Sequence, residues 1–383
     1  MKIIYHKHDA IPQSIRAFWR TALREREPSQ TLTAGPDWFE MKTESSSAPS
    51  FVAVVANDCD ELQALLPCIE GHWDLHFGKI GRMRLRKRLT VLTVAGGNVI
   101  CPAPLPPRDL GQVCEQILDK HPNTDAIQFY RIALSAKGND DAAGQNIQAR
   151  GCFRHVVIDN MPHYLLRIPE NVHGVKDLRS AKTLSELRRY ERRLAEEAGG
   201  TCRLVEIRCR KDWEPYKEAI ESMMNGAWQA RWLGHDFWLE NTERVARRGW
   251  LRSFLLMAGD RAAAFMLAYQ GEDQFMLEQT GYDSRLHQFS PGQVMTHKIV
   301  EAVLQNDRPA YIDLSYGEAE WKRQLANETV NVSSLLIVRR RPALLLWFSV
   351  YGRVRGIRDF LFRTARSMPF WRRLKQRLKR KGA

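Results

Sequence analysis

The sequence lacks the features that indicate a secreted, membrane-spanning or metal-binding protein. Its seven cysteines are an odd number and none forms a Cys-x-x-Cys pair, so neither a disulfide framework nor a zinc site is expected. The eleven histidines show no H-x-E or HExxH spacing, and no metal is predicted. No apolar run approaches the ~18 residues of a transmembrane helix, and the stretch MKIIYHKHDAIPQS has no apolar core or cleavage site typical of a secretory signal.

Length and composition predict a folded protein with more than one domain. The chain of 383 residues is longer than an ordinary single domain, and 44% of its residues are hydrophobic, enough to form substantial cores. We expect three segments, which are residues 1–180, residues 181–338 and a tail over residues 339–383.

The positive charge is concentrated in the tail. Residues 339–383 hold twelve arginines and three lysines but a single acidic residue, Asp359. The net charge of the whole chain is +14, so the rest of the chain is neutral. Because this neutral body carries no recognised nucleic-acid-binding module, nucleic acid is not expected as a general partner.

Large apolar residues are interspersed with the basic residues of the tail. Leu346, Val350, Val354, Ile357 and Leu361 recur at spacings of three or four, which predicts a basic amphipathic helix that lies on an anionic membrane surface. The alternative is that this stripe packs on the protein itself while the arginines stay in solvent.

Residues 181–338 follow an α+β pattern. Thr183 and Glu186 have the spacing of a capping box, and the helix that they would start ends at Gly199. A strand, a long helix and a meander of three strands follow, and then a helix opened by Ser290 and further strands. This order predicts one parallel crossover through the helix that follows Ser290.

Residues 88–132 show the same order of strand, loop, helix and strand. The tripeptide Gly-Gln-Val stands near the start of both helices, at 111–113 and at 292–294. The matching order of elements predicts two copies of one fold, each with a mixed central sheet flanked by helices.

The second of these helices opens with Ser290, Pro291 and Gly292. Ser290 can cap a helix and Pro291 suits its first position, but Gly292 lowers helix stability. A glycine here lets a ligand approach the free N–H groups of the helix start, which attract anions. The alternative is an ordinary Ser-Pro start with a tolerated glycine.

The stretch GYDSRLHQFSPGQVMTHKIVEAVLQNDRPAYIDLSYGEAEWKRQLANE, residues 281–328, resembles the signature block of the CelD-like acetyltransferases. These are GNAT-superfamily proteins associated with bacterial cellulose and exopolysaccharide biosynthesis, and they are distantly related to the FemAB peptidyltransferases. The positions that match the family's motifs are Tyr282, Asp283, Ser290, Pro291, Gly292, Asp313, Gly317 and Lys322. Trp321 stands where the family more often has tyrosine.

The resemblance implies tandem GNAT-like lobes. Residues 1–180 would form a degenerate lobe, and residues 181–338 would form the acyltransferase lobe. In GNAT folds the corresponding helix start holds the pyrophosphate of coenzyme A, which implies a cofactor site at Ser290, Gly292, Gln293 and Val294. The usual loop has two glycines, whereas this sequence offers one.

Acyl transfer needs a base for the acceptor and a proton donor for the departing thiolate. Glu278 lies on the strand before the phosphate-binding helix and is one candidate base; the alternative is that it points into solvent. Asp313 ends a buried strand and is the other candidate, unless it caps the next turn. Tyr316 could supply the proton, or it could simply pack.

Four residues are candidates for binding the acceptor. Trp228, Arg231 and Trp232 share one face of a predicted helix, and aromatic faces stack on sugars, although helix aromatics also form cores. Lys322 could contact a phosphate or a carboxylate, or it could be a solvated surface residue.

The resemblance implies transfer of an acyl group, in the simplest case acetyl, from acyl-CoA to an amine or hydroxyl. The acceptor would be a cell-envelope or exopolysaccharide saccharide or its precursor. One alternative is a FemAB-like aminoacyl transferase that uses aminoacyl-tRNA. Another is a catalytically inactive GNAT-fold scaffold in a polysaccharide synthesis complex. We expect a cytoplasmic protein that the tail holds peripherally on the inner membrane.

Overall fold

The computed structural model describes residues 1–26, 32–44, 46–80, 83–103, 105–133, 150–172, 174–226 and 242–367. The strands within these ranges are β1 Lys2–Lys7, β2 Ser50–Ala56, β3 Leu62–Ile80, β4 Met83–Val94, β5 Ala126–Ala133, β6 Cys152–Arg167, β7 Cys202–Ile207, β8 Ser253–Ala258, β9 Arg261–Gln270, β10 Gln274–Tyr282, β11 Tyr311–Tyr316 and β12 Glu328–Arg339. The helices are α1 Gln13–Arg26, α2 Pro36–Thr43, α3 Pro107–Lys120, α4 Ala181–Glu197, α5 Arg210–Trp213, α6 Lys217–Gly226, α7 Pro291–Asn306, α8 Glu320–Leu325 and α9 Pro342–Ser367.

The described strands form one mixed sheet built from two repeats. Its order is β1-β2-β3-β4-β5-β12-β6-β11-β10-β9-β8-β7. In the first repeat β1 to β4 are antiparallel neighbours and β5 runs parallel to β4, with α3 between them. In the second repeat β7 to β10 are antiparallel neighbours and β11 runs parallel to β10, with α7 between them. The predicted duplication and its two parallel crossovers are confirmed.

The two repeats exchange their last strands. β6 follows the first repeat but pairs with β11 of the second, and β12 follows the second repeat but pairs with β5 of the first. β6 and β12 then pair with each other along the middle of the sheet. This exchange joins the repeats into one continuous sheet. The domain limits at 1–180 and 181–338 stay a prediction.

Helix α7 buries the face that its sequence predicts. Met295, Ile299 and Val303 are fully buried against the sheet of the second repeat. On the opposite face of that sheet, Trp38 and other residues of α2 pack in one cluster with α6, β9 and β10. A helix of the first repeat therefore lies over the second.

The start of α4 differs from its prediction. The helix begins at Ala181, and the Ser180 hydroxyl accepts a hydrogen bond from the Thr183 N–H at 3.2 Å. Thr183 is thus an N3 residue and does not form the predicted capping box, because Ser180 already occupies the cap. The end of the helix is as predicted, with Gly199 at a φ of +67°.

The tail contains α9, which docks on the first repeat. Leu344 and Phe348 are buried in a cluster with residues of β3, β4 and β12. The rings of Trp347 and Tyr351 contact Phe77 on β3, with centroids 5.5 and 5.9 Å away. No helix in the described part of the chain is long and apolar enough to cross a membrane.

The docked face of α9 is not the apolar stripe that the sequence predicts. Leu346, Val350 and Ile357 are exposed, and Val354 is half-buried. The side chain of Leu361 lies outside the described residues. The helix is therefore apolar on two faces, since Leu344 and Phe348 lie on the side opposite the predicted stripe.

Candidate functional site

The candidate site lies where β10 and β11 separate. Residues 274–276 pair with residues 311–313, and the ladder stops there although β10 continues to Tyr282 and β11 to Tyr316. A bulge in the pairing of β10 with β9 falls at Glu278, just beyond the last pair. Bulges redirect side chains, and this one releases Glu278 from the alternation of the strand.

Glu278 is exposed at this bulge. This position agrees with the alternative in the sequence analysis, in which its side chain points into solvent. The amine of Lys42, which α2 of the first repeat supplies, lies within electrostatic reach of its carboxylate and 5.5 Å from the ring centre of Trp38. Burial lowers the pKa of Lys42 to about 8; Arg244 adds to the lowering, and the negative charge of Glu278 opposes it. Both repeats therefore contribute charge to this place.

Asp313 is the last residue of β11 that pairs with β10, and it is only 3% exposed. Its Oδ1 lies 2.8 Å from Nε2 of His163 on β6 and accepts a hydrogen bond from the Ser315 N–H at 2.7 Å. The hydrogen bond from Ser315 caps the turn at the end of β11. Capping this turn is the role that the sequence analysis gave Asp313 as the alternative to catalysis. His163 is a partner that the sequence did not predict.

Tyr316 stacks on the ring of His163, with centroids 4.0 Å apart and an interplanar angle of 21°. The Tyr316 carbonyl accepts a hydrogen bond from Nζ of Lys322 at 2.7 Å. Lys322 also lies 5.7 Å from the ring centre of Trp321. This bond holds the lysine amine at the end of β11, and its predicted role in binding a phosphate or a carboxylate stays a prediction.

The start of α7 has an open glycine but a different cap from the predicted one. Ser290 is in the left-handed conformation, with φ and ψ both 49°, and its side chain makes no capping bond within the described structure. The Ser290 carbonyl instead accepts the N–H groups of Gln293 and Val294, at 3.0 and 3.2 Å. Pro291 has no N–H, so the first N–H of the helix belongs to Gly292.

Gly292 faces free space. A Cβ atom placed on it would meet no described atom within 4 Å. The guanidinium of Arg193 on α4 lies 5.4 Å from the ring centre of Phe289, directly before this turn. An open glycine, a free N–H and a nearby cation suit an anionic group such as a pyrophosphate.

Asp283 fixes the turn that leads into α7. Its carboxylate accepts hydrogen bonds from Arg261 and Arg285 at 2.6 and 2.9 Å, and it caps the 3-10 segment Ser284–Phe289 through the Arg285 N–H. The two arginines, Arg285 first, hold the pKa of Asp283 well below its usual range. Asp283 of the Tyr-Asp motif thus has a structural use, because it holds the turn before α7 in place.

The predicted residues fall into three groups. Glu278 lies on β10, and Asp313 and Tyr316 lie on β11, at or beyond the point where the two strands stop pairing, and Gly292 lies at the start of the helix that follows β10. Trp228, Arg231 and Trp232 lie outside the described residues. Lys42 and His163 were missed because both come from the first repeat and carry no local motif.

Comparisons with known proteins agree with this architecture. Residues 181–323 match the family described as Acetyltransferase (GNAT) domain. Two solved structures share the fold over almost the whole chain. One is FemX, with 11% identity, a TM-score of 0.56, and coverage of 90% of this chain and 99% of that chain. The other is a tandem GNAT protein from the clavulanic acid biosynthesis pathway, with 10% identity, a TM-score of 0.51, and coverage of 89% and 99%.

These likenesses establish a tandem GNAT-like fold, and the segment that matches the acetyltransferase model lies in the second repeat. Identities this low concern the fold alone. A comparison with curated proteins finds no match.

Proposed function

We propose that the protein is an acyltransferase that moves an acyl group from acyl-CoA to an amine or hydroxyl of a cell-envelope or exopolysaccharide saccharide or its precursor. Acetyl is the simplest acyl group for this reaction. The proposal rests chiefly on one observation. Within the segment that matches the GNAT acetyltransferase domain, an open helix start at Gly292 follows the strand that separates from its parallel neighbour.

The residues around this separation supply the chemistry that acyl transfer needs. Gly292 and Arg193 would hold the pyrophosphate of the donor. Glu278, exposed at the bulge, would take the proton of the attacking amine or hydroxyl as the acceptor forms its bond to the acyl carbon. Tyr316 would give a proton to the thiolate that leaves. Asp313 is bonded to His163 and Ser315, so it would support the site without touching the acceptor.

Calorimetric titration with coenzyme A tests the donor site. Gly292→Val should weaken binding by roughly tenfold or more, because the new side chain fills the space that the pyrophosphate needs. The variant should fold normally, since that space is free in the protein. Gly356→Val, another helical glycine with open surroundings, is the matched control and should bind as the wild type does. Equal affinity in both variants would remove the donor site from this helix.

Release of the coenzyme A thiol from acetyl-CoA tests the reaction. D-glucosamine is a suitable first acceptor, because it offers both an amine and hydroxyl groups on a saccharide. A FemAB-like aminoacyl transferase would instead consume aminoacyl-tRNA. The similarity in fold between this chain and FemX is the reason to test this second donor as well. Binding of coenzyme A without turnover of either donor would favour the scaffold.

The tail is proposed to hold the enzyme on the inner face of the membrane. The exposed stripe of α9 contains Leu346, Ile357 and Phe360, which are 66%, 62% and 67% exposed, together with Val350. These positions are separated by four, seven and three residues and share one side of the helix. Apolar side chains flanked by arginines suit the boundary of an anionic bilayer.

A further inference from the structure

The proposed acyltransfer site contains a histidine that the first repeat supplies. His163 lies on β6, the exchanged strand, and stands opposite Tyr316 of β11 and Val330 of β12. It is 1% exposed, although it sits at the point where β11 ends. A buried histidine in this position requires partners, since an unpaired polar group there would be costly.

Two contacts account for the position of the imidazole. Nε2 is bonded to Asp313, and the flat face of the ring lies against Tyr316. Asp313 in turn is held by the Ser315 N–H, in a turn where Ser315 adopts a φ of +67°. A non-glycine residue pays strain for such a conformation, and this strain persists only where neighbouring contacts fix it.

The strand itself is bent to bring these groups together. Asp313 stands opposite Leu165 and Tyr316 stands opposite His163, so the pairing of β11 with β6 shifts between them and forms a bulge. Without the bulge the register would place a different residue of β11 over His163. The bulge therefore sets Tyr316 on the imidazole.

We propose that His163 is a positioning residue for acyl transfer: anchored by Asp313, its ring fixes Tyr316 at the end of β11, beyond the last residue that pairs with β10. The inference rests on the proposed function for its catalytic consequence. It makes Asp313 an orienting carboxylate, and it makes the exchanged strand the means by which the first repeat completes the site of the second.

Two substitutions separate the contacts of His163. His163→Gln keeps a donor for Asp313 but removes the ring, whereas His163→Phe keeps a ring but removes the donor. Leu166→Val, a core change on the opposite face of the same strand, is the control for lost stability. With acetyl-CoA and D-glucosamine, both His163 variants should lower kcat by roughly 10- to 100-fold and leave the affinity for coenzyme A within twofold. Leu166→Val should keep kcat.

A double-mutant cycle shows whether His163 acts through Tyr316. In a Tyr316→Ala background, His163→Gln should change kcat by less than twofold, because the group that it positions is gone. Full additivity of the two changes, or a kcat in both His163 variants equal to that of Leu166→Val, would overturn the inference.

Nuclear magnetic resonance of ring-labelled tyrosine provides a readout that needs no turnover. The Tyr316 signal, assigned by its loss in Tyr316→Phe, should move in His163→Gln, which lacks the ring, and in His163→Phe, whose ring lacks the anchor to Asp313, and it should keep its wild-type position in Leu166→Val. An unchanged signal in His163→Gln contradicts the positioning role. A wild-type protein that binds coenzyme A but releases no thiol counts against the proposed function, while the Tyr316 signal still decides the contact.

Discussion

Two carboxylates that the sequence presents as candidate bases occupy opposite environments. Glu278 is exposed at a bulge beside Lys42, whereas Asp313 is buried and bonded to His163. A base must reach the acceptor, and an orienting group must not move, so the proposed function gives the two carboxylates different tasks. The assignment follows from exposure and hydrogen bonding, which the sequence alone does not display.

Replacement of Glu278 therefore should remove the base. Glu278→Gln should lower the kcat for thiol release from acetyl-CoA by roughly 10²–10⁴-fold without unfolding the protein, since a carboxamide cannot accept the proton. Glu272→Gln, which changes an exposed carboxylate on the β9–β10 turn, is the matched control and should keep the wild-type rate. Turnover of Glu278→Gln within a few-fold of this control would place the base elsewhere.

Asp283 supports the helix start through charge. Asp283→Asn should lower the free energy of unfolding by about 1–3 kcal/mol at pH 7, because Arg261 and Arg285 lose their charged partner. Since folding lowers the pKa of Asp283, its contribution is present above the pKa of the unfolded carboxyl and fades as pH falls below it. Urea unfolding of wild type and variant at pH 7 and pH 3 should show this difference shrinking in acid. Asp260→Asn, on an exposed turn, should show no such difference.

At the scale of elements, local sequence patterns predicted individual helices and crossovers, but they did not predict which repeat β6 and β12 pair with. The buried face of α7, the end of α4 at Gly199 and the two parallel crossovers follow from periodicity and turn residues. The exchange of β6 and β12 does not, because nothing within either strand specifies which repeat it joins. His163 and Asp313 are 150 positions apart, and their contact depends on that exchange.

The docking of α9 is expected to weaken in acid. His155 on β6 contacts Phe348 and Tyr351, with ring centroids 4.7 and 5.7 Å away, and its Nε2 is buried with no hydrogen-bond partner among the described residues. Burial first, and then Arg355, lowers the pKa of His155 to about 4. The undocked histidine, with a pKa near its ordinary value of 6.5, therefore binds more protons between pH 6.5 and 4.

Protection of the α9 amides against hydrogen exchange should accordingly fall between pH 7 and pH 5, after correction for intrinsic exchange rates. His155→Phe cannot take up a proton and should remove most of this dependence while keeping the aromatic contacts with Phe348 and Tyr351. A dependence of the same size in His155→Phe would show that another group loosens the helix.

At the scale of the whole molecule, the excess positive charge lies in the tail, where three arginines bond to the fold and the other basic residues are available to a membrane. The body is neutral, and the tail carries the excess of +14. Arg339, Arg340 and Arg341 are already committed to the fold, because they donate hydrogen bonds to carbonyls around the end of α3 and to Cys152. The other basic residues of the tail follow these three, so the charge available to a membrane lies along and beyond the exposed stripe of α9.

Sedimentation with liposomes should separate attachment by the stripe from attachment by charge alone. The wild-type protein should pellet with vesicles that contain anionic lipid, less with neutral vesicles, and should be released as salt rises.

Ending the chain at Val338 would also uncover the cluster beneath Leu344 and Phe348, so point substitutions give a cleaner test. Leu346→Asn combined with Ile357→Asn removes the centre of the stripe and leaves the docked face and every basic residue intact. This variant should stay largely in the supernatant, because lost apolar burial weakens binding even when the charge is unchanged.

Leu345→Asn is the matched control, since Leu345 is also exposed on α9 but lies about 100° around the helix from Leu346. If the stripe variant and the control pellet equally and release at the same salt concentration, charge alone holds the protein and the stripe has another partner.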